Sequence, residues 1–205
     1  MPTFDRPSRF SLNIIGAEHE LHVLAFTGKE AISTPYAFDL ELVSTRFDLD
    51  LEALLHRPAY LAFDSLGDGV HGHISSIALS SADRRLARYR LTLEPQLAYL
   101  AYRTNQRIFQ RLTVQQIIEV ILEEHSILGN AYTFHSLSSY TPREYCVQYG
   151  ESDLRFIQRL CFEEGFHYHF QHSPDGHQLV FGDKQQAFTP LKHPTPYVQG
   201  AGMVA

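Results

Sequence analysis

The sequence predicts a β-rich α+β fold, with antiparallel barrel-like sheets and two amphipathic helices packed on them. Three observations predict it. Strand-like alternation of apolar and polar residues dominates residues 10–95. Strong helical periodicity appears over 113–125 and 152–164. Residues 143–170 read as a strand, a capped helix and a second strand in unbroken succession. Runs of strands followed by helix–strand units belong to the α+β class.

A polar leader, 1–9, precedes strands expected near 10–15, 20–27 and 37–44. The third alternates cleanly, with Phe38, Leu40 and Leu42 on one face and Asp39, Glu41 and Val43 on the other. Ser33, Thr34 and Pro35 mark the turn into it. Asp50 to His56 reads as a short helix ending before Pro58. A strand at 59–64 and a turn at 66–69 lead to a hairpin of 70–79 with 85–95.

Thr113 caps the first amphipathic helix, where Val114, Ile117, Ile118, Ile121 and Leu122 form one stripe, with His125 in line at its end. Residues 126–142 read as a loop with a short strand at 131–135. Ser152 caps the second helix, Asp153 suits the helix dipole in its first turn, and Gly165 ends it in a left-handed conformation. Leu154, Phe156, Ile157, Leu160 and Cys161 share its apolar side. Phe162 points the other way, beside Arg155 and Gln158, and is expected to pack on another part of the chain rather than on a partner. Glu151 and Arg155 read as an i,i+4 pair, and Arg159 stands where it can reach a carboxylate of another element or subunit. After the strand at 166–170, the Pro174–Gly176 turn leads to a closing strand at 178–183. The expected organisation is a first β-rich lobe (1–94), a helix-containing second part (95–183) and a Pro/Gly linker (184–205).

Composition excludes several function classes. A net charge of −6 without a basic run gives nucleic acid no electrostatic footprint. No apolar run approaches the ~20 residues of a membrane span, and the N-terminus lacks the features of a Sec signal. Cys146 and Cys161 both sit in apolar contexts and read as buried thiols rather than a disulfide. There is no G-x-S-x-G elbow and no Walker loop, so no catalytic residue and no cofactor are assigned. The pairs Glu123–Glu124 and Glu163–Glu164 are sequence neighbours whose side chains diverge on a helix. Histidine is the one residue type in excess, twelve in all. His167 and His169 share a strand face near His172, and His71 and His73 flank Gly72, spacings that metal sites use. Packed or half-exposed surface is the favoured reading of both pairs, and no metal site is assigned.

One long motif goes further. Gln148-Tyr149-Gly150-Glu151-Ser152-Asp153, then Phe156-Ile157-x-Arg159-Leu160, then Glu163-Glu164-Gly165-Phe166-x-Tyr168-x-Phe170, resembles the signature of the VgrG family. These proteins form the trimeric spike of the bacterial type VI secretion system and resemble the baseplate hub of contractile-tailed phages. Many members carry Asn at the place of Gly150 and a small aliphatic at that of Phe166. Further matching segments are Thr34-Pro35-Tyr36-x-Phe38, His71-Gly72, Tyr89-x-Leu91-x-Leu93-x-Pro95, Leu97-x-x-Leu100 and Gln106 to Gln110, so the resemblance runs from about 10 to about 183.

The resemblance implies a non-enzymatic hub base that trimerises, docks on the Hcp tube and baseplate, and delivers effectors. It implies a protein that waits in the bacterial cytoplasm and leaves through the apparatus. In the family each subunit carries two similar barrel-like lobes, so a trimer offers a hexameric ring six similar patches. Members continue into the rest of the hub, an OB-like barrel and a β-needle, all beyond this sequence. The signature positions Gln148, Tyr149, Glu151, Asp153, Phe156, Arg159, Leu160, Glu164, Gly165 and Tyr168 are expected to be structural. Phe162, Phe109 and Tyr102 are candidate contacts between subunits. Alternatives are a docking module for an effector or its adaptor, the hub of a phage-tail-like particle, and, less favoured, a histidine-based metal enzyme.

Overall fold

The structure, a computed structural model, describes residues 10–17, 20–63, 68–83, 85–136 and 138–190. The expected leader, half of the turn at 66–69 and most of the linker lie outside these.

Six strands form the first sheet: β1 (Ser11–Ile14), β2 (His22–Ala31), β3 (Thr34–Ser44), β4 (Pro58–Ala62), β5 (Gly69–Ala82) and β6 (Ala87–Glu94). Their order is β1-β4-β5-β6-β3-β2, and every pairing is antiparallel. The alternation read in the sequence does the work. Phe38, Leu40 and Leu42 of β3 face Leu93, Leu91 and Tyr89 of β6 in register, and all six are buried. The sheet curls until its two edges meet. Phe26 of β2 lies edge-on to Phe10, just before β1, at 5.1 Å and stacks on Phe63, just after β4, at 5.3 Å. This aromatic seam closes the barrel-like interior.

The helix expected at 50–56 shrinks to one turn, α1 (Leu51–Leu54), capped by Asp50 and stopped before Pro58. The chain then crosses a 3-10 segment (Gln96–Tyr102) into β7 (Thr104–Phe109), a strand that the sequence pattern did not announce. Its alternation places Asn105 and Arg107 inward where apolar residues are expected, which hides it. Helix α2 (Val114–Glu124) opens with a reciprocal capping box between Thr113 and Gln116. Next come β8 (Tyr132–His135), β9 (Cys146–Ser152), α3 (Asp153–Glu164), β10 (His167–Ser173) and β11 (Gly176–Gly182). β7 and β9 form an antiparallel ribbon, and β10-β11-β8 a three-stranded sheet. The β8–β11 pair is parallel, the one departure here from antiparallel pairing. A parallel pair needs a long crossover, and β9, α3 and β10 between the two strands supply it.

Two apolar cores result. One fills the curled sheet. The other lies among α2, α3 and the strands around them, with Phe156, Ile157, Leu160, Ile117, Ile118 and Ile121 at its centre. Phe170 of β10 packs on both. Helix α3 keeps both of its predicted ends: Ser152 Oγ accepts from the Arg155 amide, and Gly165 stands at φ +73°. That φ suits glycine, and it lets the Phe166 amide turn back to the Cys161 carbonyl at 2.8 Å.

Phe156 and Phe162, one helix face apart, separate core from surface in a single test. Phe156→Ala should cost about 3–5 kcal/mol in urea unfolding, because its ring is fully buried. Phe162→Ala should change stability by less than about 0.5 kcal/mol, since that ring is 88% exposed. Equal losses would mean that α3 is seated in another rotation.

Candidate functional site

One buried carboxylate, Asp153 of the signature, gathers Gln148 and four side chains outside the signature. Asp153 has no exposed side-chain surface. Its Oδ1 accepts from Asn105 Nδ2 at 2.9 Å, Gln148 Nε2 at 2.8 Å and Arg107 Nη2 at 3.2 Å. Its Oδ2 accepts from Arg103 Nε at 2.5 Å and meets His125 Nε2 at 2.8 Å. The Asp153 amide donates to the Arg103 carbonyl at 2.9 Å. Glu124 completes the cluster, accepting from Arg107 Nη1 at 2.7 Å and from Arg103. Gln148 accepts from Arg107 Nε and donates to the Glu151 carbonyl. One carboxylate thus ties the start of α3 to β7, β9, the end of α2 and the exit of the 3-10 segment.

Burial alone would raise the Asp153 carboxyl. The bonds from His125, Gln148, Asn105 and Arg103 outweigh it and hold the group well below the usual carboxylate range. A permanently charged, fully bonded carboxylate has no proton to exchange near neutrality, so it braces rather than catalyses. It does more than the favourable dipole charge that its position in the first turn predicts.

A second charged set runs along the flank of α3. Arg159 reaches Glu151 at 2.6 Å, Glu163 at 2.8 Å and the Val147 carbonyl at 2.9 Å, with its guanidinium 5.1 Å from the centre of the Phe156 ring. Arg143 bridges Glu163 and Glu164, each at 2.6 Å. The expected Glu151–Arg155 pair does not form. Glu151 belongs to β9, so it is not one helical turn from Arg155 and instead pairs with Arg159 across the strand–helix junction. Leu160 and Tyr168 are fully buried, and the Tyr168 hydroxyl accepts from Gln158 Nε2 at 3.0 Å.

The three candidate contact aromatics divide. Phe109 is 9% exposed and stacks on Phe156 at 5.8 Å, which removes it from any contact between subunits. Tyr102 is 82% exposed. Phe162, expected to pack within the chain, is as open, because it lies on the side of α3 opposite the core. The sequence reading missed their companions. Ile108 and Val147 pair across the β7–β9 ribbon and Gln106 faces Tyr149 beside them, so Ile108, Val147 and Tyr149 all stand exposed on its outer side. The alternation Cys146, Gln148 inward and Val147, Tyr149 outward was the available signal.

The described groups that the sequence offered for nucleophilic or metal chemistry are placed otherwise. Burial pushes the Cys161 thiol up to about 12, the opposite of activation. His167 and His169 both stack on Phe188, at 4.5 and 4.9 Å, instead of converging on a common point. Among the described residues no set of three or more His, Cys, Asp or Glu side chains is arranged to hold a metal ion. No helix among them is long and apolar enough to cross a membrane.

Asp153→Asn should destabilise the chain by about 3 kcal/mol at neutral pH, since it leaves Arg103 and His125 facing a neutral amide in a buried site. The carboxylate's folded pKa lies below its unfolded value. Its contribution is therefore present above the ordinary carboxylate range, near pH ~4, and is lost as pH falls below it. Urea titrations at pH ~7 and ~3 should show the gap between wild type and D153N closing in acid.

The comparisons with known proteins agree with this framework. A family profile described as phage tail baseplate hub (GPD) matches residues 29–205. The type VI secretion system spike protein VgrG4b of Pseudomonas aeruginosa is 60% identical over 97% of this chain, which spans 24% of that longer protein. A solved structure of the E. coli c3393 protein, described as a type VI secretion component with structural similarity to the T4 tail proteins gp27 and gp5, superposes with a TM-score of 0.84 at 31% identity, covering 88% of this chain and 51% of that one. The 43 kDa tail protein of prophage MuSo2 from Shewanella oneidensis shares the fold, with a TM-score of 0.58 at 14% identity over 84% of this chain and 52% of that one. The chain therefore belongs to the phage tail baseplate hub (GPD) family, and it is similar over nearly its whole length to VgrG spike proteins.

Proposed function

We propose that this chain is the hub base of a type VI secretion puncturing spike: a structural element that trimerises, docks on the Hcp tube and baseplate, and delivers effectors bound to the spike or its adaptors. The observation that carries the reading is the 60% identity to a spike protein across almost the entire chain. The chemistry supports it. The signature side chains serve as bracing, with Asp153, Arg159 and Gln148 spent on internal bonds, and no activated nucleophile stands among them.

In this reading residues 1–94 and 95–183 act as two lobes, each on its own core, and 184–205 leads into the rest of the spike. Of these two only the first holds a large curled sheet among the described residues, so the sixfold match to an Hcp ring calls for a second barrel-like lobe besides them. Phe162 and Tyr102, with the exposed outer side of the β7–β9 ribbon, supply apolar surface for neighbouring subunits. The protein waits in the bacterial cytoplasm and leaves through the contractile apparatus.

The test is light scattering on the chain within a protein of its relatives' length, followed by co-sedimentation with purified Hcp hexamers. A mass three times that of the subunit and retention on Hcp are expected. A Tyr102→Ser, Phe162→Ser pair should raise the concentration for half-assembly at least tenfold, about 1.4 kcal/mol. A monomer at every concentration that also ignores Hcp would overturn the proposal.

A further inference from the structure

Four of the twelve histidines meet where the two cores join, away from the long motif of residues 148–170. His71 and His73 lie on β5; His172 is on β10 and His177 on β11, in the hairpin that packs against β5. His71 Nδ1 and His177 Nδ1 are 3.0 Å apart, and the His71 amide donates to His172 Nδ1 at 3.3 Å. Tyr36 of β3 stands edge-on to His172 at 4.9 Å, and its hydroxyl donates to the His71 carbonyl at 2.6 Å. His71 and His177 border a cavity of about 320 Å³ with Gln96 and Asp175, which gives solvent a path to the rings.

We propose that His71, His177 and His172 form a proton-sensitive clasp, which holds the β10–β11 hairpin against β5 while the rings are neutral and releases it in mild acid. The bonds themselves require neutral rings. A hydrogen bond between two Nδ1 atoms carries one proton, so it is lost when both rings are charged. His172 Nδ1 must stay bare to accept from the His71 amide, and protonating it sets two N–H groups against each other. The far nitrogen of His71, Nε2, is buried without a hydrogen-bond partner among the described residues, so a proton there finds no acceptor.

The groups facing the clasp come from every element around it. His73 on β5 adds a further ring, with His56 behind it, and Tyr36 comes from β3. Two acids oppose the effect: Asp175 in the hairpin turn, and Glu30 of β2, 3.1 Å from His172 Nε2. Burial and then the rings of His73 and His172 nevertheless bring His71 down to about 4, and burial and then the rings of His71, His73 and His172 bring His177 to about 3. When the hairpin opens, both return toward the ordinary value near 6.5. The open state therefore binds more protons, and the clasp, intact above pH ~6.5, weakens steadily below it. At pH ~5 each of the two rings multiplies the opening constant about thirtyfold.

Hydrogen exchange on the whole chain tests this, reading peptides within 69–74 and 167–182 at pH ~7.5 and ~5 after correction for intrinsic rates. Protection there should fall at least thirtyfold on acidification, while peptides of α2 keep theirs. In a His71→Asn, His177→Asn variant, whose amide oxygens can still accept where Nδ1 stood, the fall should shrink below threefold. Unchanged wild-type protection, or an equal fall in the variant, would overturn the clasp. Ring resonances of the wild type give a check that does not depend on the variant folding: His71 and His177 titrating near 6.5 with the hairpin still closed would overturn it as well.

Discussion

The second half of the molecule hangs on the Asp153 carboxylate. Five side chains from β7, β9, the end of α2 and the 3-10 segment's exit converge on its two oxygens. Taking such a charge out of water is costly, and nothing apolar around it compensates. It is tolerable only because every lone pair is used and cations stand on both sides. That requirement fixes geometry as well as charge. The two oxygens can be saturated at once only when β7 and β9 are paired in their observed register and α2 ends where it does. The apolar faces of α2 and α3 supply the driving force for collapse. Asp153 selects one arrangement from the several that such faces would allow.

How much of this was legible follows from sequence distance. The caps Ser152, Thr113 and Gly165, the alternation of β3 and the stripes of both amphipathic helices depend on neighbours within four residues, and each reads directly from the chain. The partners of Asp153 do not. Arg103 and Asn105 lie about fifty residues away, the first at the exit of the 3-10 segment and the second on β7, a strand whose inward polar residues, Asn105 and Arg107, disguise it. Local reasoning paired Glu151 with Arg155 by helical spacing, and the strand–helix boundary one residue later gave Glu151 to Arg159 instead. Phe109 and Phe162 show the same limit. A short match says that an aromatic is present, whereas the helix and strand packed beside it decide whether it is core or surface. The histidine clasp was the least legible, since its closest pair is separated by 106 positions.

A hub that transmits force must keep its lobes in fixed relation while leaving surface for its neighbours. The chain spends its polar signature inside and its apolar excess partly outside. Arg159 and Arg143 strap α3 to β9 and to the approach of that strand, so in the proposed role load entering through the helix would pass into a hydrogen-bonded ribbon. The outer side of that ribbon is then free to carry Ile108, Val147 and Tyr149. Exposed apolar groups on a rigid support lose little conformational entropy when covered, which makes them suited to assembly.

The two polar centres of the molecule respond to acid in different ranges. Asp153 holds its charge below the ordinary carboxylate range, so its contribution to the second core is full above pH ~4 and drains away only below that. The clasp between the cores instead depends on histidines held neutral, and it loses free energy as soon as pH falls below the ordinary imidazole value. Over the interval between them, the proposed clasp loosens while the Asp153 brace still contributes in full. The depressed carboxylate ties the start of α3 to its neighbours, and the His71–His177 pair stands where the two cores join, so acid reaches that joint before it reaches the brace.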